Sequence, residues 1–166
     1  MVRRKKHREV PKVKDAIDLA TEGLIKPFEG YHKKLPNGGC LAYPDPGTNA
    51  EPWTIGWGST GPDIRPGTVW SLEAARSRLS AEVAHFAVGA LRMSPGLRNA
   101  QPRQFAAIIS FCYNCGLGNY RVSTLKKRVD AQDWQGAKEE IVRWNKAAGR
   151  VLRGLTLRRQ AEAAML

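Results

Sequence analysis

The chain has 166 residues, which is enough for one domain that buries a sizeable core. Hydrophobic residues make up 42% of it and charged residues 25%, as in an ordinary soluble globular protein, and no apolar run is long enough to span a bilayer. The 27 Lys and Arg residues against 15 Asp and Glu residues give a formal net charge of +12, which attracts polyanions but does not identify one.

Residues 1–10 are strongly basic, like the start of a signal peptide, but no apolar stretch follows them. We therefore expect a flexible basic arm and no signal peptide, so that the chain is made and folded in the cytoplasm.

Residues 11–27 predict a first helix. Apolar side chains such as Ile17 and Leu24 recur at helical spacing, and Pro27 predicts where the helix ends. Glu29 then lies just past the helix end, at the edge of a groove.

Most of the Gly and Pro residues fall within residues 28–70. Between the turns that they mark, two short strands are predicted near residues 40–43 and 53–58, which together suggest a small antiparallel sheet. We expect a small β-containing lobe here.

Residues 71–166 have helical character. Ser71 is a plausible N-cap for a helix whose apolar residues continue to Phe86. The apolar run over 102–115 predicts the core helix of a larger lobe. Further along the chain we predict a loop at Asn119–Tyr120, a helix capped by Ser123 or Thr124, a helix from Asp133 or Trp134 to about Lys146, and a final basic amphipathic helix over 155–165.

The three cysteines, Cys40, Cys112 and Cys115, are an odd number, which argues against a disulfide framework. Cys112 and Cys115 have the spacing of a redox or zinc motif, but they fall in an apolar helical run and the set of four zinc ligands is incomplete. Packing in the core is the favoured interpretation, with a disulfide or a metal site as the alternative.

Two acidic residues, Glu29 and Asp45, are candidates for acid–base catalysis. Glycoside hydrolysis needs one carboxylic acid that protonates the departing sugar oxygen and one carboxylate that activates water or stabilises the cation. Glu29 has apolar neighbours that favour its protonated form, whereas Asp45 stands in a turn with backbone donors that favour its charged form. Taken singly, Glu29 could instead pair locally, and Asp45 could only initiate the turn.

Three blocks of sequence resemble the bacteriophage T4-type lysozymes, the muramidase endolysins of glycoside hydrolase family 24. They are Lys-Pro-Phe-Glu-Gly, Leu-Ala-Tyr-x-Asp and Trp-Thr-Ile-Gly-Trp-Gly within 26–58; the helix over 104–116; and a C-terminal block over 123–159. The first block is specific, and the third alone would be weak. Together they cover roughly residues 20 to 166.

The resemblance implies a mainly helical α+β, lysozyme-like fold of one catalytic domain over residues 1–166, in which a small lobe and a larger helical lobe flank a cleft. It implies that Glu29 is the general acid, that Asp45 is the base or the stabilising carboxylate, and that Thr54 holds the attacking water. Inversion is the usual outcome in this family, and it needs carboxyl groups roughly 6.5–9.5 Å apart. No cofactor or metal is implied.

Several positions leave alternatives open. Thr54 could be an ordinary strand residue, and Glu51 competes with Asp45 because it is closer to Thr54, although the Ala-Tyr-x-Asp context favours Asp45. The chain is longer than the family pattern at 32–39 and 48–51, and we expect these loops to line one mouth of the cleft.

Five other residues stand at positions that the family pattern also marks. Ser59 stands where the family often has a histidine, so that histidine's role cannot be transferred to it. Four residues match positions that line the family's cleft, although each could equally be a core or helix-end residue: Tyr113, Asn114, Thr124 and Asn145.

The predicted function is that of a phage endolysin, expected to be a monomer, which hydrolyses the β-1,4 bond between N-acetylmuramic acid and N-acetylglucosamine in peptidoglycan. Holin-type release from the host cytoplasm is implied. A lytic transglycosylase and a non-catalytic polyanion binder are the alternatives; no motif for specific nucleic-acid binding accompanies the charge. The basic termini, including Arg153–Arg159, are candidates for contact with anionic envelopes, although Arg150, Arg158 and Arg159 taken singly are interpreted as solvated.

Overall fold

The computed structural model describes residues 10–44 and 50–166. The predicted basic arm lies outside this range except for Val10, which begins the first helix. Asp45 also lies outside the described residues. Helices dominate and the strands are short, which confirms the predicted α+β fold class.

One helical segment leads to Glu29. It begins as α1 (Val10–Leu19), continues as a π-helical turn (Ala20–Ile25) and ends as α2 (Lys26–Glu29). The helix was predicted to end near Pro27, but it continues for two more residues. Pro27 is the second residue of α2, which directly follows the π-helical turn. Glu29 is therefore the last helical residue, not a residue beyond the helix.

The segment that we call the β region, residues 40–70, carries five short strands. They are β1 (Cys40–Leu41), β2 (Tyr43–Pro44), β3 (Trp53–Ile55), β4 (Ser59–Thr60) and β5 (Val69–Trp70). β1 pairs with β5, and β2, β3 and β4 form an antiparallel sheet in that order. The predicted antiparallel pairing is confirmed, although among the described strands it is divided between two sheets.

The helical region follows the β region. Its helices are α3 (Leu72–Met93), a 3₁₀ turn (Pro95–Arg98), α4 (Pro102–Cys115), α5 (Leu117–Val122), α6 (Thr124–Asp130), α7 (Trp134–Ile141) and α8 (Arg153–Ala163). The predicted N-cap Ser71 is confirmed, and of the two candidates Ser123 and Thr124 it is Ser123 that caps α6. Asp133, one of two predicted helix starts, is the N-cap of α7: its side chain, like those of Ser71 and Ser123, accepts a hydrogen bond from a backbone N–H group of the first turn.

Two predictions in the helical region are wrong. The expected loop at Asn119–Tyr120 is part of α5, because Tyr120 is fully buried and its hydroxyl lies 2.9 Å from that of Ser94. α7 ends at Ile141 rather than near Lys146, and a hairpin of β6 (Lys146–Ala147) and β7 (Arg150–Val151) follows it. Its turn needs the positive φ angles of Ala148 and Gly149, which a helix cannot contain.

The core is built around α4. Its residues from Gln104 to Cys112 are all buried, and α1, α3, α5 and α8 pack against it. Ala16 and Ala20 are fully buried where the N-terminal segment meets α4, and such small side chains let two helices approach closely. The helix that leads to Glu29 is therefore anchored on the centre of the helical region.

The cysteines are free thiols. Cys40 and Cys112 are fully buried among apolar residues, as the packing interpretation predicts, and Cys115 is partly buried. Burial raises the pKa of the Cys112 and Cys115 thiols; for Cys115 the neighbouring Arg159 opposes this rise. None of the described helices is both long and apolar enough to cross a membrane.

Candidate active site

A cavity of about 350 Å³ opens beside Glu29, where the β region meets the helical region. The described residues that line it are Glu29, Gly58, Ser59, Thr60, Glu82, Phe86, Tyr113 and Asn114. This volume is within the range of ligand pockets, and the lining combines an aromatic wall with several polar groups, as such pockets do.

The Glu29 side chain is 24% exposed, and its carboxylate is held by Arg158. The Arg158 guanidinium donates through Nη1 to Glu29 Oε1 at 2.6 Å. On the other side Gly58 has a φ of +91°, and a Cβ atom built there would lie 3.4 Å from Glu29 Oε2. Because Gly58 has no side chain, the carboxylate faces the cavity without a covering group.

The interpretation of Arg158 and Arg159 as solvated surface residues is wrong. Arg158 is only 3% exposed and Arg159 is fully buried, because both pair with the fully buried Glu162 one turn further along α8. These two arginines are therefore not available to an anionic surface, in contrast to the exposed Arg153 at the start of the same helix.

Glu82 is a second carboxylate in the same cavity. It projects from α3 and is 24% exposed. Arg78 Nε donates to its Oε1 at 2.9 Å, and the Ser59 hydroxyl donates to its Oε2 at 3.1 Å. The Tyr113 hydroxyl is within 3.4 Å of Oε2 as well. Glu82 thus joins α3 to β4 and α4 at one wall of the cavity.

The aromatic wall consists of Phe86 and Tyr113, whose rings meet edge to face with centroids 5.3 Å apart. Burial, together with the charges of Glu82 and Glu29, raises the pKa of Tyr113, so its hydroxyl remains a neutral donor. Beside it Asn114 accepts a hydrogen bond at Oδ1 from Arg159 Nη2 at 3.1 Å.

The structure brings three of the predicted site residues together at the cavity: Glu29, Tyr113 and Asn114. Thr54 is in β3, where it pairs with Tyr43 on one side and with Thr60, which lines the cavity, on the other.

The other predicted positions are not among the described lining residues. Thr124 is exposed in the first turn of α6. The Asn145 side-chain amide lies 3.4 Å from the Thr156 hydroxyl, where the β6–β7 hairpin meets α8. Asp45 follows Pro44, which is opposite Trp53 in the sheet, and is itself outside the described residues.

The roles of Glu82 and Arg158 in the site were not predicted from the sequence. Glu82 adjoins the apolar stripe that includes Leu79, Val83 and Phe86, and a carboxylate at the edge of such a stripe is a signal of a polar site. Arg158 stands four residues before Glu162, the spacing of a helical ion pair. Neither signal identifies the residue of another helix or strand that the side chain contacts.

Comparison with known proteins identifies the family. The model of the phage lysozyme family matches residues 28–162, so the chain belongs to that family, and the resemblance to T4-type lysozymes is confirmed. An endolysin of Acyrthosiphon pisum secondary endosymbiont phage 1 is 34% identical over 146 residues, which are 86% of this chain and 91% of that protein. The solved structure of an endolysin from Escherichia coli O157:H7 phage FAHEc1 superposes with a TM-score of 0.70 at 27% identity and covers 98% of this chain and 95% of that one.

Other relatives are longer. An endolysin of Bacillus phage B103 is 36% identical over 149 residues, which are 90% of this chain but 53% of that protein. The chain thus spans about half the length of this relative.

Proposed function

We propose that the chain is an endolysin domain that hydrolyses the β-1,4 bond between N-acetylmuramic acid and N-acetylglucosamine in bacterial peptidoglycan. The observation that carries the proposal is the Glu29 carboxylate at the end of α2, open to a cavity between the two regions in a chain of the phage lysozyme family. Glu29 acts as the general acid, which protonates the departing sugar oxygen.

Asp45 acts as the second carboxylate, and Thr54 holds the attacking water. The position of Thr54 one strand away from the cavity residue Thr60 supports this proposal. Tyr113 and Asn114 bind the sugar, because a neutral hydroxyl, an amide and an aromatic face suit sugar hydroxyls and ring faces. We assign Thr124 and Asn145 to more distant parts of the same cleft, and residues 1–166 to one catalytic domain.

Replacing Glu29 by Gln tests the acid. Because the amide cannot donate the required proton, we expect the rate of peptidoglycan lysis to fall by about 10²–10⁴-fold while the circular dichroism spectrum is unchanged. The matched control is Glu22→Gln, which makes the same change at an exposed residue of the same helical segment and should retain parental activity. Equal activity of the two variants would refute the assignment.

A second pair of variants tests the other carboxylate. Asp45→Asn should lower hydrolysis by about 10²-fold or more, whereas Glu51→Gln, its competitor in sequence, should retain most of it. The reverse order would transfer the role to Glu51.

Mass spectrometry of the products separates hydrolysis from transglycosylation. Hydrolysis leaves reducing N-acetylmuramic acid ends, because water is the nucleophile. Anhydromuramic ends would instead show that no water is activated, and the role of Asp45 would be lost.

The route to the cell wall and the attraction to the cell envelope are also proposals. The chain reaches the cell wall from the host cytoplasm by holin-type release, and exposed basic residues such as Arg150 and Arg153 attract it to anionic envelope polymers. Binding to lipopolysaccharide vesicles tests the role of these basic residues. Binding that is lost in Arg150→Gln/Arg153→Gln and unaffected by removing residues 1–9 would support it. Loss of binding on removing residues 1–9 alone would transfer it to the N-terminal arm.

A further inference from the structure

A buried ion cluster adjoins Glu29. It consists of Arg158, Arg159 and Glu162 of α8, which are 3%, 0% and 0% exposed, together with the fully buried Ser110 of α4. We call these four residues the buried cluster. Burial of three charged side chains is costly unless each is paired, so their contacts must account for their presence.

Glu162 is the centre of the buried cluster. Its Oε1 atom accepts hydrogen bonds from the Ser110 hydroxyl at 2.7 Å and from Arg159 Nη2 at 2.8 Å. Arg159 Nε lies 2.8 Å from Oε2 as an ion pair without hydrogen-bond geometry. Arg158 Nε lies 3.4 Å from Oε1.

Arg158 connects Glu162 to the candidate acid. The same guanidinium that faces Glu162 through Nε donates through Nη1 to Glu29 at 2.6 Å and through Nη2 to Ser110 at 3.4 Å. A chain of contacts therefore runs from the fully buried Glu162 through Arg158 to the carboxylate at the cavity.

This contact has an electrostatic consequence for catalysis. A guanidinium in contact with a carboxyl group favours its ionised form, whereas a general acid must keep its proton until the leaving oxygen takes it. An arginine whose whole charge acted on Glu29 would therefore oppose the reaction. Glu162 attracts the same guanidinium from the other side and offsets part of that charge in a poorly solvated interior.

We propose that Glu162 is a positioning residue for the reaction at Glu29: it fixes the Arg158 guanidinium and offsets part of its charge, so that Glu29 retains the proton that it donates. The inference rests on the function proposed above. Glu162 itself does not meet the substrate, because it is fully buried and is not among the residues that line the cavity.

Other titratable groups lie near the carboxyl groups of Glu29 and Glu162. They are the same in the parent and in every variant of the test below. Glu29 is near Tyr43 of β2 and Tyr113 of α4, shares the cavity with Glu82, and accepts a contact at its carbonyl from His32 Nε2 at 3.0 Å. Cys112 and Cys115 are the thiols near Glu162.

Burial raises the pKa of Glu162, and Arg159, Ser110 and Arg158 oppose that rise. Above that pKa the carboxylate offsets the charge of Arg158, and its protonation at acid pH would end this effect. The proposal is therefore tested on the alkaline limb of the pH profile of kcat/KM.

The first test is Glu162→Gln, which removes the negative charge with little change in volume. Without it Arg158 acts more strongly on Glu29, so the alkaline limb of the kcat/KM profile on soluble peptidoglycan fragments should move to lower pH by about one unit, a loss of about tenfold on that limb. KM should change less than kcat. The matched control, Glu139→Gln, makes the same change at an exposed carboxylate of α7 and should keep the parental profile. A folded Glu162→Gln protein with the parental profile would overturn the proposal.

Two further variants keep the proposal testable if Glu162→Gln does not fold. Glu162→Asp keeps the negative charge, but its side chain is too short to hold both arginines. The alkaline limb of the kcat/KM profile should therefore move to lower pH, by less than in Glu162→Gln. Arg158→Gln leaves Arg159 and Glu162 as a balanced pair and should move the limb to higher pH. A merely structural role would not move the profile in opposite directions, and an unshifted profile in both variants would overturn the proposal.

Nuclear magnetic resonance separates this inference from the proposed function. The titration of the Glu29 side-chain carbon, assigned by its loss in Glu29→Gln, needs no substrate. A shift of its midpoint to lower pH in Glu162→Gln or Glu162→Asp supports the role of Glu162 in holding the proton on Glu29 even if no hydrolysis is detected, in which case only the proposed function fails. An unchanged midpoint in an active enzyme overturns the inference alone.

Discussion

In the buried cluster, Arg159 is fully enclosed and meets Glu162, which is also fully enclosed. At the junction of α3 with the β region, Arg78 is 35% exposed and pairs with Glu82 and Asp63 across the surface. We call Ser59, Arg78 and Glu82 the junction cluster. Both clusters use an arginine and a carboxylate, yet water can replace a lost partner in only one of them.

This difference explains how the two sides of the cavity can differ in rigidity. The buried cluster fixes Arg158 against Glu29 in an interior where charges interact strongly. In the junction cluster Arg78 and Ser59 hold Glu82 at 2.9 Å and 3.1 Å, but the Arg78–Glu82 pair remains open to solvent. We infer that the side chain that meets Glu29 is held tightly, whereas the opposite wall can adjust to a bound sugar.

The largest expected effect on stability comes from removing the buried arginine. Arg159→Met leaves the Glu162 carboxylate without its closest cation, and we expect the free energy of unfolding to fall by about 3–5 kcal/mol in urea titrations. Arg78→Met should cost at most about 1 kcal/mol, because solvent screens the exposed pairs. Equal losses in the two variants would show that burial does not distinguish the clusters.

A smaller effect is expected from the two serines that donate to these carboxylates. Ser110→Ala removes a 2.7 Å hydrogen bond to the buried Glu162 and should cost about 1–3 kcal/mol, because no water replaces the donor. Ser59→Ala removes a 3.1 Å hydrogen bond to the partly exposed Glu82 and should cost about 0.5–1 kcal/mol. Differential scanning calorimetry of both variants measures the ranking, and a larger loss in Ser59→Ala would contradict the comparison.

Local signals in the sequence predicted much of the helical region. The helix starts at Ser71, Ser123 and Asp133 and the apolar run of α4 depend on neighbours within a few residues, which a sequence displays directly. The helix of α5 was missed because it depends on the burial of Tyr120 against Ser94, 26 residues earlier in the chain.

The candidate site was predictable where a motif names the residue, as for Glu29. The contact of Arg158 with Glu29 joins residues 129 positions apart, and that of Ser59 with Glu82 joins residues 23 positions apart. The charge of Arg158 suggested an exposed residue, because a sequence does not show the partners that make burial of a charge tolerable. Contacts of this kind follow from the packing of α8 and α3 rather than from a local pattern.

A further expected effect concerns Tyr31, which helps to hold the segment that precedes β1. Its ring packs on Trp57 with centroids 4.5 Å apart, and its hydroxyl donates to the Gly38 carbonyl at 3.0 Å. Tyr31→Phe should therefore cost about 0.5–1.5 kcal/mol near neutral pH, as expected for one hydrogen bond, and the loss can be measured by urea unfolding.

The stability cost of Tyr31→Phe should depend on pH. Burial and, after it, the neighbouring Cys40 thiol raise the pKa of Tyr31 to about 12. Because the folded state holds the phenolic proton more tightly than the unfolded chain does, this contribution is complete below the unfolded pKa of about 10 and is lost as the pH rises toward 12. The stability gap between parent and Tyr31→Phe should thus narrow between pH 10 and 12 in urea titrations. A constant gap would mean that the phenol titrates alike in both states, so that solvent reaches the segment that precedes β1 as freely as it reaches the junction cluster.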